Sequence, residues 1–138
     1  MTKFITQFFN KSKDGGPNSP VDGYFLIECK GLFSIALLKF NKGQREEFHT
    51  HAFNAYTWFL KGDLLEEDAG GTFYKYRRKL VPKLTKKEKN HRVIAKEDSW
   101  CFTLRGPWDM YWTEYNRNSN QTTVFTHGRN VVDVKEGV

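Results

Sequence analysis

The stretch Gly43-Gln-Arg-Glu-Glu-Phe-His49-Thr-His51-Ala-Phe-Asn-Ala55-Tyr-Thr-Trp-Phe-Leu-Lys-Gly62 decides the reading of this chain. It carries two of the four histidines, His49 and His51, with one threonine between them. On an extended strand side chains alternate between faces, so residues two apart point the same way, about 6.6 Å from each other along the strand. Two imidazoles so placed can converge on one ion at about 2.1 Å each. A third histidine, His91, opens the short apolar segment to Ala95, and the intervening chain is long enough to return it beside the pair. The fourth, His127, adjoins Gly128 and reads as a solvated turn residue.

Strand signals flank this stretch on both sides. Tyr24 to Cys29 stops at Lys30-Gly31, and Leu32 to Phe40 is an apolar run closed by Asn41-Lys42-Gly43. Glu46 to Phe53, Ala55 to Leu60 and Leu64 to Glu67 follow, punctuated at Lys61-Gly62-Asp63 and Asp68-Ala-Gly-Gly71. Phe73 to Leu80, His91 to Ala95, Trp100 to Leu104, Met110 to Tyr115 and Thr122 to Thr126 complete the set. Short strands at 8 to 12 residue spacing, with no helical pattern between them, predict an all-β sandwich or barrel, best closed as a double-sheet jelly roll. Phe4, Ile5, Phe8 and Phe9 fit a short amphipathic helix or a strand laid on the domain, and Lys11 to Gly23 reads as loop. The organisation expected is an N-terminal extension and loop over 1–23 and a β-barrel domain over 24–138.

Composition sets the outer bounds. At 138 residues one domain with one core is expected, and 16% aromatic residues favour sheet. The net charge of +6 attracts small anions. Nucleic acid is disfavoured as a partner, because the basic residues cluster only at Arg77 to Lys79 and Lys83 to Lys89 and do not interleave with the aromatics along the chain. Cys29 and Cys101 are too few and too far apart for a disulfide framework, so buried reduced thiols and a cytoplasmic location are expected. No apolar run reaches the roughly 18 residues of a membrane helix, and the N-terminus lacks a secretory cleavage pattern.

The spacing around His49 and His51 resembles the first motif of the cupin superfamily: Gly, five residues, His-x-His, a Glu three or four residues on, and a closing Gly. Gly43, His49, His51 and Gly62 match, while Ala55 stands where the family has Glu. His91 after Pro82 resembles the single His of the second motif. Trp100-Cys-Phe-Thr-Leu-Arg-Gly-Pro107, with the aromatic strand that follows, looks like the end of a group of small single-domain cupins. The resemblance spans about residues 32 to 116. It implies a cupin-type double-stranded β-helix, the RmlC-like jelly roll, and it implies a homodimer.

It also implies a metal site. His49, His51 and His91 would hold one divalent transition metal, Fe foremost, with Mn, Ni, Cu and Zn as alternatives. Three neutral imidazoles without a carboxylate leave positions open for substrate and dioxygen, an arrangement similar to the thiol and ring-cleaving dioxygenases among cupins. Glu47 and Tyr56 are the candidate catalytic groups, Glu47 as a group that orients an imidazole. For substrate, Asn54 is a candidate for the position Ala55 vacates, Thr57 and Phe59 share its face of the next strand, and Arg92 and Arg105 are fork-shaped donors for an anionic group. Two rival readings use the same barrel. One is a metal-free cupin that binds or sequesters a small molecule such as a nucleotide or sugar. The other is a metal-independent sugar-nucleotide isomerase or epimerase, with His51 as base and Tyr56 or Tyr111 as acid.

Overall fold

The computed structural model describes residues 5–45, 47–78 and 80–138, so Phe4, Glu46 and Lys79 lie outside the described residues. The first seven strands are β1 (Gln7–Lys13), β2 (Val21–Cys29), β3 (Phe33–Phe40), β4 (Gly43–Gln44), β5 (Phe48–His49), β6 (Ala55–Lys61) and β7 (Leu64–Asp68). The next seven are β8 (Phe73–Tyr76), β9 (Lys83–Thr85), β10 (His91–Ala95), β11 (Ser99–Arg105), β12 (Trp112–Asn116), β13 (Gln121–Thr126) and β14 (Asn130–Glu136). A 3-10 turn, His127–Arg129, precedes β14.

Among the described residues all pairings are antiparallel and form two sheets. One runs β1-β2-β3-β11-β6-β9; the other runs β14-β13-β12-β5-β10-β7-β8, with β4 also on β10. The chain crosses repeatedly between the sheets, which is the jelly-roll architecture expected. Among the described residues no helix is long and apolar enough to cross a membrane.

Of the two expectations for the segment around Phe8 and Phe9, the strand is the one found, over Gln7–Lys13. β1 adds to the edge of the first sheet, with Lys11 opposite Tyr24 and Lys13 opposite Asp22. β2 begins at Val21, so the expected boundary at residue 23 falls inside a strand. The loop between them is Asp14 to Pro20. Three further strands escaped the sequence pattern, among them the two-residue β4, which starts where a turn was expected. β9 lies in the Lys-rich stretch, and β14 follows a turn with every residue exposed, so neither shows an apolar alternation. In the other direction, the expected strand from Glu46 to Phe53 contracts to the two residues of β5.

Cross-strand register also interleaves what the linear sequence keeps apart. On the outer face of the first sheet Tyr24 stacks on Trp100 at 5.7 Å, with Lys11 over Tyr24 and Lys39 over Trp100. Lysines and aromatics therefore do alternate in space, through pairing rather than through sequence.

The interior has two parts. Val21, Phe25, Ala36, Leu38, Phe59, Leu64, Ala95 and Cys101 form the main apolar cluster. Most of these sit where β2 starts, β3 and β6 end, β7 starts, β10 ends and β11 starts, which is one end of the barrel. The smaller cluster, Ala52, Phe53 and Ala55 with Trp108 and Trp112 against it, lies at the opposite end. Gly62 makes the tight connection from β6 to β7. Its φ is +111°, and a Cβ there would lie 2.1 Å from Ser99 Oγ, the atom that accepts the Asp63 amide at 3.0 Å. A glycine at this motif position is thus required by space as well as by backbone angle. Cys29 and Cys101 are both buried free thiols.

Candidate metal centre

The site is assembled by one cross-strand row. In the second sheet Glu114 of β12 stands opposite His49 of β5, and His49 stands opposite His91 of β10. Directly opposed residues share a face, so these three side chains point to one side of the sheet, into the barrel. His51 follows two residues after His49. Its backbone is held where the Thr50 amide donates to the Thr113 carbonyl at 2.9 Å and the His51 amide donates to the Lys87 carbonyl at 3.0 Å. The long connection bearing the Lys-rich run therefore packs against the His-x-His segment and fixes it.

The three imidazoles converge. Their ring centroids are 4.8 to 5.1 Å apart, and each offers a nitrogen within 4.8 Å of the others. His51 Nε2 and His91 Nε2 are 2.9 Å apart. Two ligands at right angles on one ion, each at about 2.1 Å, would be separated by about 3.0 Å, so this spacing suits two adjacent coordination positions. His49 Nδ1 is buried with no hydrogen-bond partner among the described residues. Burial holds the His49 pKa well below its usual value, reinforced by His51, His91 and Arg45, with the Glu47 backbone pulling the other way. Burial likewise depresses His51, reinforced by His91, Arg105 and Arg45 and opposed by Glu66. Neutral imidazoles are the form a metal ion binds. The donor set and its spacing fit one divalent transition ion held by His49, His51 and His91.

His91 is 5% exposed, and its Nδ1 is bonded to the Glu66 carboxylate on β7. Glu66 is itself 3% exposed. Burial alone would raise its pKa, but the bonds from His91, Lys83 and Lys89 more than reverse this and hold it well below the usual carboxylate range. Tyr76 also bonds to Glu66, at 3.2 Å, and burial followed by the Glu66 charge raises its phenol pKa.

The imidazoles open into a cavity of about 370 Å³. Thr57 and Phe59 line it, as alternation on β6 requires, and so does Ala55. Ala55 has no donor atom, so the position that is Glu in the family motif supplies no ligand here. Arg105 also lines the cavity and is 5% exposed. Its guanidinium lies between the Phe25 and Phe53 rings, at 5.4 and 4.6 Å, and donates two bonds to the Asp14 carboxylate, at 3.0 and 2.5 Å. Its Nε has no partner among the described residues.

Five expected site residues lie elsewhere. Tyr56 is 49% exposed, because the alternation that turns Thr57 inward turns Tyr56 outward. Tyr111 is exposed as well, so neither tyrosine stands beside His51 as an acid. Asn54 is exposed, and its side-chain oxygen accepts the Lys87 amide at 2.8 Å, which makes it a loop anchor. Arg92 follows His91 and points to the opposite face, where it pairs with Glu67 and lies over the Phe48 ring at 4.7 Å. Glu47 lies outside the two-residue β5 and borders a second depression with Glu114, Asn116 and Ser119, not the histidine cavity. His127 is exposed and stacks on Trp108 at 5.8 Å.

Residues not anticipated from sequence complete the cavity. Arg45 and Arg129 both pair with Glu114, at 3.0 and 2.7 Å, and Asp14, Glu66, Tyr76 and Lys83 contribute to the wall. Glu114 lies on the inward parity of β12, which a strand assignment alone would have flagged.

Comparison with known proteins agrees with this architecture. No protein-family model matches the chain, and neither does any curated protein. Solved structures do match. A sugar phosphate isomerase from a cupin superfamily, of Silicibacter pomeroyi, superposes with a TM-score of 0.62 at 10% identity, covering 93% of this chain and 88% of that one. An RmlC-like cupin from Shewanella frigidimarina gives 0.56 at 12% identity, covering 75% and 94%. Ectoine synthase from P. lautus gives 0.54 at 16% identity, covering 70% of each. The fold is that of a small cupin, the double-stranded β-helix.

Proposed function

We propose that this chain is a mononuclear metallocupin that oxidises a small anionic molecule with dioxygen. The observation that carries the reading is the convergence of His49, His51 and His91 in a cavity whose fourth family position is Ala55. A site with three neutral ligands and no carboxylate keeps positions for a substrate atom and for dioxygen. Fe(II) suits this best, with Mn, Ni, Cu or Zn as alternatives; when bound, the ion supplies Lewis acidity and, for a redox metal, electron transfer to dioxygen.

The chain's own residues supply binding and exclusion. Lys13, Lys30, Arg45, Lys83, Arg105 and Arg129 outnumber Asp14, Glu28, Glu66 and Glu114 in the cavity wall, which favours an anionic ligand. Arg105, pinned between two rings with both terminal nitrogens on Asp14, keeps its Nε, unpartnered among the described residues, as a single donor for a carboxylate or phosphate oxygen. Phe53, Phe59 and Trp108 give the apolar wall that excludes water around the reacting part. The isomerase alternative loses the two acids named for it, since Tyr56 and Tyr111 are exposed and outside the cavity wall.

The test is metal analysis of protein purified without a histidine tag, followed by anaerobic loading with Fe(II). Oxygen uptake is then recorded over a panel of small carboxylates and phosphates. About one equivalent of metal and ligand-dependent oxygen uptake are expected. Less than about a tenth of an equivalent, with ligand binding unaffected by chelation, would instead identify a metal-free binding module. Stoichiometric metal without oxygen uptake across the panel would overturn the oxidative reading alone.

A further inference from the structure

We infer that Glu66 is the positioning residue of the centre, fixing His91 in the tautomer whose Nδ1 carries the proton and whose Nε2 faces the cavity as a lone pair. The inference rests on the three-histidine reading and extends it to a residue outside both histidine segments.

The geometry is specific. β7 and β10 pair with Val93 opposite Glu66 and Asp68 opposite His91, so Glu66 stands diagonally across from His91 on the same inner face. His91 Nδ1 contacts Glu66 Oε2. Among the described residues every other partner of this carboxylate is a donor. Lys83 Nζ reaches both oxygens, at 2.8 and 3.0 Å, Lys89 Nζ reaches Oε1 at 2.7 Å, and the Tyr76 hydroxyl reaches Oε1 at 3.2 Å. A carboxylate surrounded by donors accepts at each contact, so Nδ1 must donate. A neutral imidazole has one N–H, which leaves Nε2 bare and directed at His51. Carboxylate partners of this kind orient metal-ligating histidines and raise their basicity, and removing them typically costs about 10- to 100-fold in metal affinity.

The arrangement also gives the Lys-rich run a role beyond solvation. Lys83 and Lys89 flank the connection that holds the His51 backbone, and both fold back onto Glu66. They keep two cations on an otherwise buried acid and hold it against His91.

Two measurements separate this role from a merely structural ion cluster. In metal-free wild-type protein labelled with 15N-histidine, His91 is expected to show the Nδ1–H pattern. An Nε2–H pattern overturns the proposal, whatever the metal results. In the second, Co(II) titration of Glu66→Gln is expected to give an affinity about 10- to 100-fold below wild type, with a shifted visible absorption spectrum. Unchanged affinity and spectrum in the folded variant overturn it. Should Glu66→Gln fail to fold, the wild-type tautomer still decides. Should wild-type protein bind no Co(II), the three-histidine reading falls, while the tautomer measurement still tests the Glu66–His91 relation.

Discussion

His51 Nε2 and His91 Nε2 face each other at 2.9 Å although they come from segments forty positions apart, one following β5 and the other opening β10. Without an ion, one ring must donate to the other. With Nδ1 of His91 committed to Glu66, the donor is His51. A cation that draws both lone pairs would replace that single hydrogen bond with two coordinate bonds, so each ring should be needed for metal retention. His49→Ala and His91→Ala should each reduce bound metal below about a tenth of an equivalent while preserving the β-sheet circular dichroism. Stoichiometric metal in both variants refutes the ligand set.

The metal-free protein should lose stability in mild acid. Folding depresses the His49 and His51 pKa values, whereas the unfolded chain takes up protons near the ordinary value of 6.5. Below that pH the unfolded state binds more protons than the folded state, so stability rises with pH across the interval and is fully present above it. Urea midpoints measured in chelator should be level from pH 8 to 7 and fall between pH 6.5 and 5. A level midpoint down to pH 5 would contradict the burial argument.

Asp14 should matter to stability more than its place in a surface loop suggests. Its carboxylate is the forked partner of Arg105, a guanidinium almost wholly buried between two phenyl rings. Asp14→Asn removes the counter-charge but not the volume, and should destabilise by about 1–3 kcal/mol in denaturant melts. A change within about 0.5 kcal/mol, the range of ordinary surface substitutions, would show that Arg105 is compensated by other groups.

Tyr56→Phe offers the contrasting outcome. The ring projects from the outer face of β6, away from the imidazoles. Metal content and oxygen uptake should match wild type, and stability should stay within about 0.5 kcal/mol. Lost uptake with normal metal content would return this tyrosine to the site.

Cys101 should resist alkylation. Burial pushes its thiol pKa up to about 12, so the nucleophilic thiolate is scarce in the folded chain at pH 8. Iodoacetamide labelling followed by peptide mass spectrometry should modify Cys101 only after denaturant is added; rapid labelling of native protein would contradict its placement in the apolar cluster.

Local rules carried the sequence reading as far as they apply. The His-x-His pair, the inward parity of Ala55, Thr57 and Phe59, and the strand alternation that leaves Arg105 on the cavity wall all follow from a period of two within single strands. The same period also turns Tyr56 and Arg92 outward, and their assignment to the site required overriding it. Glu47 failed for a different reason, because β5 is only two residues long and alternation cannot be extended back to it. The Glu66–His91 and Asp14–Arg105 contacts depend on which strands become neighbours and in what register. That is a long-range property set by packing of the whole barrel, and no spacing within the chain encodes it.

None of the three histidines, Arg105 or Glu66 belongs to the main apolar cluster, although Phe25, Leu38, Phe59 and Leu64 of that cluster line the same cavity. Polar side chains on the cavity wall can therefore change while the apolar ones that close the barrel stay, and the same fold is found in solved structures at 10 to 16% identity.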